Sequence, residues 1–144
     1  MSKGYLDKPI RFPILLKLTN GVSVTALKEK VLTKVYKKSY HSKEFINATI
    51  IDAQGTNYII RDVINLGYTN LLWGLDQFLG QQVYVGLKLT KIKDLTLEEF
   101  KLEAIKIVKA NKEYYLSAGL NIKEVINNIN KAPEVEEIST LLLP

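Results

Sequence analysis

Ile10, Phe12, Ile14, Leu16 and Leu18 alternate with Arg11, Pro13 and Lys17. A period of two marks a half-buried strand, and Pro13, which has no N–H to give a ladder, predicts an edge strand or a bulge. Asn20-Gly21 follows, a pair suited to the two-residue type I′ hairpin turn, and Val22, Val24 and Ala26 continue the return strand. In "FINATIIDAQGTNYIIRDV" two further β-rich runs flank Asp52-Ala53-Gln54-Gly55. The Asp there can bond its own backbone and the Gly can take positive φ, so a second hairpin is expected. Residues 27–43 fit two patterns. Val31, Thr33 and Val35 alternate as a strand would, while Leu27, Val31 and Val35 also fall at helical spacing. β-branching favours the strand.

The period then lengthens. Leu71, Leu72, Leu75, Phe78 and Leu79 form one helical stripe, with Thr69 or Asn70 to cap its start and Gly80 to end it. "QQVYVGLKLTKI" returns to a strand with Val83, Val85, Leu87 and Leu89 facing inward. From Asp94 onward the pattern is helical. Thr96 and Glu99 have the spacing of a capping box. Leu97, Phe100, Ala104, Ile107, Val108 and Tyr115 make the buried stripe, and Gly119 suits a helix end. Asn121 and Glu124 repeat the capping spacing ahead of Ile122, Val125, Ile126 and Ile129. Pro133 suits the first turn of a third helix bearing Val135, Ile138, Leu141 and Leu142. The expected architecture is a single α+β domain over 1–144, β-rich across 9–92 and helical across 95–143. Antiparallel hairpins would form a twisted sheet or partly open barrel with a short inserted helix, and about three C-terminal helices would pack on it.

"YLSAGLNIKEVINNINKA" has the outline of a helix-turn-helix DNA reader. Such readers place a small residue four before the turn glycine, where two helices cross closely. Here that residue is Tyr115. Lys123 and Lys131 are outnumbered by Glu124, Glu134, Glu136 and Glu137, a charge balance that repels phosphate. Capped helical packing explains the stretch better.

Composition narrows the function further. The 144 residues are 47% hydrophobic and 24% charged, the composition of a globular chain. No apolar run approaches the roughly 20 residues that span a bilayer, and "MSKGYLDKPIRFP" lacks the hydrophobic segment of a signal peptide, so a cytoplasmic protein with no membrane partner is expected. The absence of cysteine excludes disulfides and thiol chemistry. The net charge of +5 is unevenly spread: residues 1–51 hold 10 Lys and Arg against 3 Asp and Glu, and residues 52–144 hold 10 against 12. The basic run "LKEKVLTKVYKKSYHSK" could attract nucleic acid, anionic lipid or an acidic protein. Arg11 and Arg61 are the only arginines, and arginine is the residue that phosphate forks and guanine contacts favour. Lysine abundance alongside Asn and Ile also fits codon bias.

Catalytic constellations are missing. His41, the single histidine, lies in the polar basic segment "KKSYHSKEF". With no cysteine beside it, it supports neither a triad nor a transition-metal site. Asp52 and Asp62 flank a hairpin and form a candidate carboxylate pair, though turn formation and solvation explain them more simply. The glycines lack phosphate-loop or dinucleotide spacing. Thus no enzyme, cofactor or metal is expected. The residues best suited to touch a partner are Trp73, Tyr58 and Tyr84, with Lys34, Lys37 and Lys38 nearby. Aromatic anchors dominate protein interfaces, and a tyrosine-bearing sheet face with lysines can also stack single-stranded nucleic acid. The apolar end Leu141–Pro144 can pack on its own domain or on a second copy, the former being the simpler expectation.

"IIDAQGTNYIIRD", "LWGLDQFLGQQVYVGLKL" and "LTLEEFKLEAIKIVKANKEYYLSAG", within residues 45–144, faintly resemble small bacterial immunity-type proteins, which bind and block toxins encoded beside them. The resemblance implies a non-catalytic inhibitor acting by surface complementarity. Two expectations follow. The first is a non-enzymatic protein-interaction module. The alternative is a nucleic-acid binder using the basic N-terminal strands, ahead of a small enzyme with an unrecognised carboxylate site.

Overall fold

Ile14, Leu15 and Leu16 are all buried, so the first main strand is covered on both faces rather than one. The structure, a computed structural model, describes residues 4–68 and 82–142. The expected helix over 69–80, Trp73 within it, and Leu143-Pro144 lie outside the described residues. The chain runs β1 (Tyr5–Leu6), β2 (Ile14–Lys17), β3 (Ser23–Ala26), α1 (Glu29–Thr33), β4 (Lys34–Tyr36), α2 (Lys37–Ser42), β5 (Thr49–Ile51), β6 (Thr56–Tyr68) and β7 (Gln82–Asp94). Then come α3 (Leu97–Ala110), α4 (Lys112–Ser117), α5 (Ile122–Lys131) and α6 (Val135–Leu141). The strands form an open sheet, not a barrel, in the order β1-β7-β6-β5-β2-β3, with β4 pairing beside β1 on the same edge of β7. All pairs are antiparallel except β1 with β7.

The Asn20-Gly21 hairpin joins β2 to β3, but through a three-residue loop. Leu18 N–H donates to the Val22 carbonyl at 2.8 Å, and only Gly21 has positive φ, at 89°. The two-residue I′ turn needs positive φ at both positions, and Asn20 instead turns its side-chain oxygen to Val22 N–H at 3.0 Å. β2 lies inside the sheet between β5 and β3, which corrects the expected edge. Pro13 is tolerated because it precedes the strand's first residue. The second hairpin forms as expected. Asp52 accepts from Gln54 and Thr56 N–H, each at 3.0 Å, and Gly55 takes φ 86°.

Residues 27–43 are mainly helical, in place of the expected strand. Only Lys34–Tyr36 forms a strand, between α1 and α2. Leu27 and Val31, on the pattern's supposed inner face, are 55% and 54% exposed, while Leu32 and Val35 are buried.

Two cores result. Ile14, Leu16, Leu32, Val35, Ile50, Ile60, Val83, Val85, Leu87 and Leu89 belong to one, and Ile10, Phe12 and Leu18 pack against it. Leu15 and Ile51 reach the opposite face and join Phe100, Ala104, Ile107, Val108, Tyr115, Val125, Ile129, Ile138 and Leu142 in the other. The Thr96–Glu99 capping box is present in full. Helical structure breaks at Asn111, so four helices rather than about three follow the sheet. The Asn111 side-chain amide donates to the Ser23 and Ile107 carbonyls at 2.9 Å each, tying the break to β3. Gly119 ends α4 with φ 82°, and Asn121 caps α5 through the N–H groups of Lys123 and Glu124. Pro133 stands before the α6 cap, Glu134, rather than in its first turn. Tyr115 is buried and its hydroxyl donates to the Leu142 carbonyl at 2.9 Å, so the helix-turn-helix outline is internal packing.

Candidate interaction surface

Val83, Val85, Leu87 and Leu89 point into the first core, so the residues alternating with them, Tyr84, Gly86 and Lys88, share the opposite face. Antiparallel pairing sets Lys34 beside Tyr84 and Tyr36 beside Gln82. Val35, between them, turns inward and is buried. Lys34 and Tyr36 therefore join Tyr84 on the outer face. Tyr36 is 53% exposed.

A third tyrosine comes from β1. Tyr5 pairs with Gly86, and a Cβ built on Gly86 would lie 2.4 Å from the Tyr5 ring. Only glycine lets the ring lie flat there, an aromatic covering the gap that a strand glycine leaves. Leu6 packs on the first core. Asp7 fixes the end of the strand, donating from its N–H to the Leu87 carbonyl at 3.1 Å and accepting from Leu89 N–H at 2.8 Å. Gly4 is equally constrained, since a Cβ there would stand 2.3 Å from the Thr33 Cβ. Tyr5, Tyr36 and Tyr84 thus stand on one face at the β1/β4 edge of β7, with Lys34 and Lys88 among them.

Of the residues singled out from sequence, Lys34 and Tyr84 come together here. Lys38 is exposed on α2, within the same basic segment. Tyr58 does not join them. It is buried in the first core, because it shares a sheet face with Ile60 rather than with Tyr84. Burial, and then the nearby Asp52 carboxylate, push the Tyr58 phenol above its ordinary pKa. The side chain of Lys37, like Trp73, lies outside the description. Tyr5 and Tyr36 were not predicted. Tyr36 carried a faint signal, as a polar-tipped aromatic alternating with Val35. Tyr5 carried none, because its place depends on a glycine far along the chain.

The ion pairs among the described residues lie outside this region. Lys17 pairs with Glu103, Lys93 with Glu99, Lys91 with Asp94 at 3.0 Å, and Lys101 and Lys106 with Glu98 and Glu103 at 3.8 Å. Hydrogen bonds from Lys91 and Thr56 hold the Asp94 carboxyl below its ordinary pKa, and Lys93 does the same for Glu99. Lys28, Lys30, Lys34 and Lys38 are exposed and, among the described residues, belong to no ion pair. Glu29 is the only acid between positions 27 and 43.

Comparison with protein-family models, with curated proteins and with solved structures finds no match.

The carboxylate pair expected from sequence is not assembled. Asp52 sits at the turn that starts β6. Asp62 lies six residues further along that strand, opposite Lys88, roughly 20 Å away at the rise of an extended chain. Asp52 is buried and bonded to backbone N–H groups, while Asp62 is exposed and accepts from Val63 N–H at 2.9 Å. Among the described residues no group of three or more His, Asp or Glu could hold a metal ion, and no helix is long and apolar enough to cross a membrane.

Proposed function

We propose that this protein is a non-enzymatic interaction module that binds an acidic surface of a partner protein through Tyr5, Tyr36 and Tyr84 and the lysines beside them. One observation carries the reading: the exposed Tyr5 and Tyr36 and the half-buried Tyr84 share a sheet face with Lys34 and Lys88, which belong to no ion pair among the described residues. Aromatic side chains supply most of the energy of protein interfaces. Unpaired rim charges set approach rate and partner choice. Blocking the partner's active site, as immunity-type proteins do, is the most specific form of this reading. A chain without cysteine needs no oxidising compartment, which suits action in the cytoplasm.

The test is capture of partners from lysate on immobilised protein, with and without nuclease, by the wild type and by a Tyr36→Ala/Tyr84→Ala/Lys34→Glu variant. A protein retained after nuclease treatment by the wild type alone is the expected result. Equal retention by the variant would remove this face from the interface. Nucleic acid is the second reading, since tyrosines on strands beside lysines are also a stacking platform. It predicts retention that nuclease abolishes and that weakens steeply with salt.

A further inference from the structure

Away from the tyrosine face, at the end of α2, the chain twice adopts a conformation that side chains avoid. Lys43 has φ 58° and Asn47 has φ 68°, and left-handed backbone is uncommon outside glycine. Strain of this kind persists where surrounding structure holds it, and it gathers at binding sites. Here the holding bonds are Lys43 N–H to the Tyr40 carbonyl and Ile46 N–H to the Lys43 carbonyl, each 3.2 Å, and Asn47 N–H to the Ile60 carbonyl, 2.8 Å. The two kinks bracket Phe45 and Ile46 and place them beside Val63 of β6, Tyr40 and His41. Together these residues and Lys43 line a pocket of about 310 Å³, at the lower end of small-ligand sites. Phe45, Ile46 and Val63 give it apolar walls, and Tyr40, His41 and Lys43 add polar groups to the lining. The Tyr40 and His41 rings meet edge-on, with centroids 5.5 Å apart. Among the described residues no acid lines the pocket. The neighbouring Glu44 accepts from the Asn20 side-chain amide at 3.1 Å. Lys43 belongs to no ion pair among the described residues.

We infer that this pocket binds a small organic anion with an aromatic or branched apolar body, its carboxylate held by Lys43 with His41 and the Tyr40 hydroxyl at the same rim. Apolar lining and convergent polar groups are what such a ligand requires, and a cation with no internal partner selects its charge.

The test uses phenylacetate and its uncharged counterpart phenylacetamide as probes, followed through backbone amide NMR shifts of the full chain. Phenylacetate is expected to shift the amides of Tyr40–Ala48 and Val63 saturably, and to bind about tenfold more tightly than phenylacetamide, the effect of one charge-assisted hydrogen bond. Lys43→Gln, an exposed position, should abolish that preference while leaving the spectrum of the sheet unchanged. Val63→Trp should fill the pocket and block both probes. Equal affinity for the two probes overturns the inference. So does an unaltered preference in Lys43→Gln, shifts spread over the lysines of residues 28–38 instead, or no saturable shift.

Discussion

Tyr115 has a fully buried ring and a hydroxyl donating to the Leu142 carbonyl. Burial, with a smaller contribution from Tyr114, pushes its pKa up to about 12 from the model-compound value of 10.0. A raised phenol pKa means the folded state keeps a proton that the unfolded chain releases. Its stabilisation is therefore complete below pH 10 and disappears as pH rises through 12. The expected loss across that window is about 2–3 kcal/mol, at 1.36 kcal/mol per pKa step. Tyr115→Phe should flatten the slope between pH 10 and 12. At neutral pH it should cost about 1 kcal/mol, because the Leu142 carbonyl loses its donor. Urea denaturation at a series of pH values measures both. That Tyr115 is a core residue was legible from helical spacing. That it anchors the end of the chain was not, since spacing says nothing of where a ring's tip arrives. The same limit hid Tyr58. Alternation places it on a face, but which face is buried depends on what the rest of the chain lays over the sheet.

Among the elements, those that hydrogen-bond locally were the most legible. The Asp52 turn and the Thr96 capping box close within a few residues, so the chemistry that forms them is written side by side. Residues 27–43 were misread for the opposite reason. Lys34–Tyr36 is extended because it pairs with Gln82–Tyr84, and the flanking segments, free of that pairing, coil into short helices. Strand β1 depends likewise on a remote residue, Gly86. Gly86→Val should push the Tyr5 ring off the sheet and loosen the strand behind it. The reporter is the Leu89 amide, which donates to the Asp7 carboxylate. Its hydrogen exchange should speed up by at least about tenfold, the effect of removing roughly 1.4 kcal/mol of local protection. Unchanged exchange would mean that Asp7 holds the strand without Tyr5.

Across the whole molecule, the sheet carries one core on each face, and β2 and β5 contribute to both through Leu15 and Ile51. Among the described residues the ion pairs fall in the C-terminal half and on Lys17, and the lysines described in residues 28–38 join none. The five ion pairs among the described residues have side chains at least partly open to water, and surface pairs contribute little. Raising salt from 50 to 500 mM should therefore change folding stability by less than about 1 kcal/mol, read from urea midpoints. Association with an acidic partner should weaken markedly over the same range, because the unpaired lysines are screened. The division of charge was visible in the sequence. Its meaning was not, because only the fold shows which lysines meet an acid.

The pairing of Tyr5 with Gly86 also sets a clock on biosynthesis. At about 5–20 residues per second, the ribosome needs roughly 4–16 seconds after making Tyr5 to reach its partner. Throughout that interval Tyr5 and Leu6 lack the strand they pair with, and Ile10 and Phe12 lack the β7 side chains of the core they pack against. Closing this edge of the sheet is therefore a late step of synthesis, and Tyr5 should become protected from solvent only after β7 has been made.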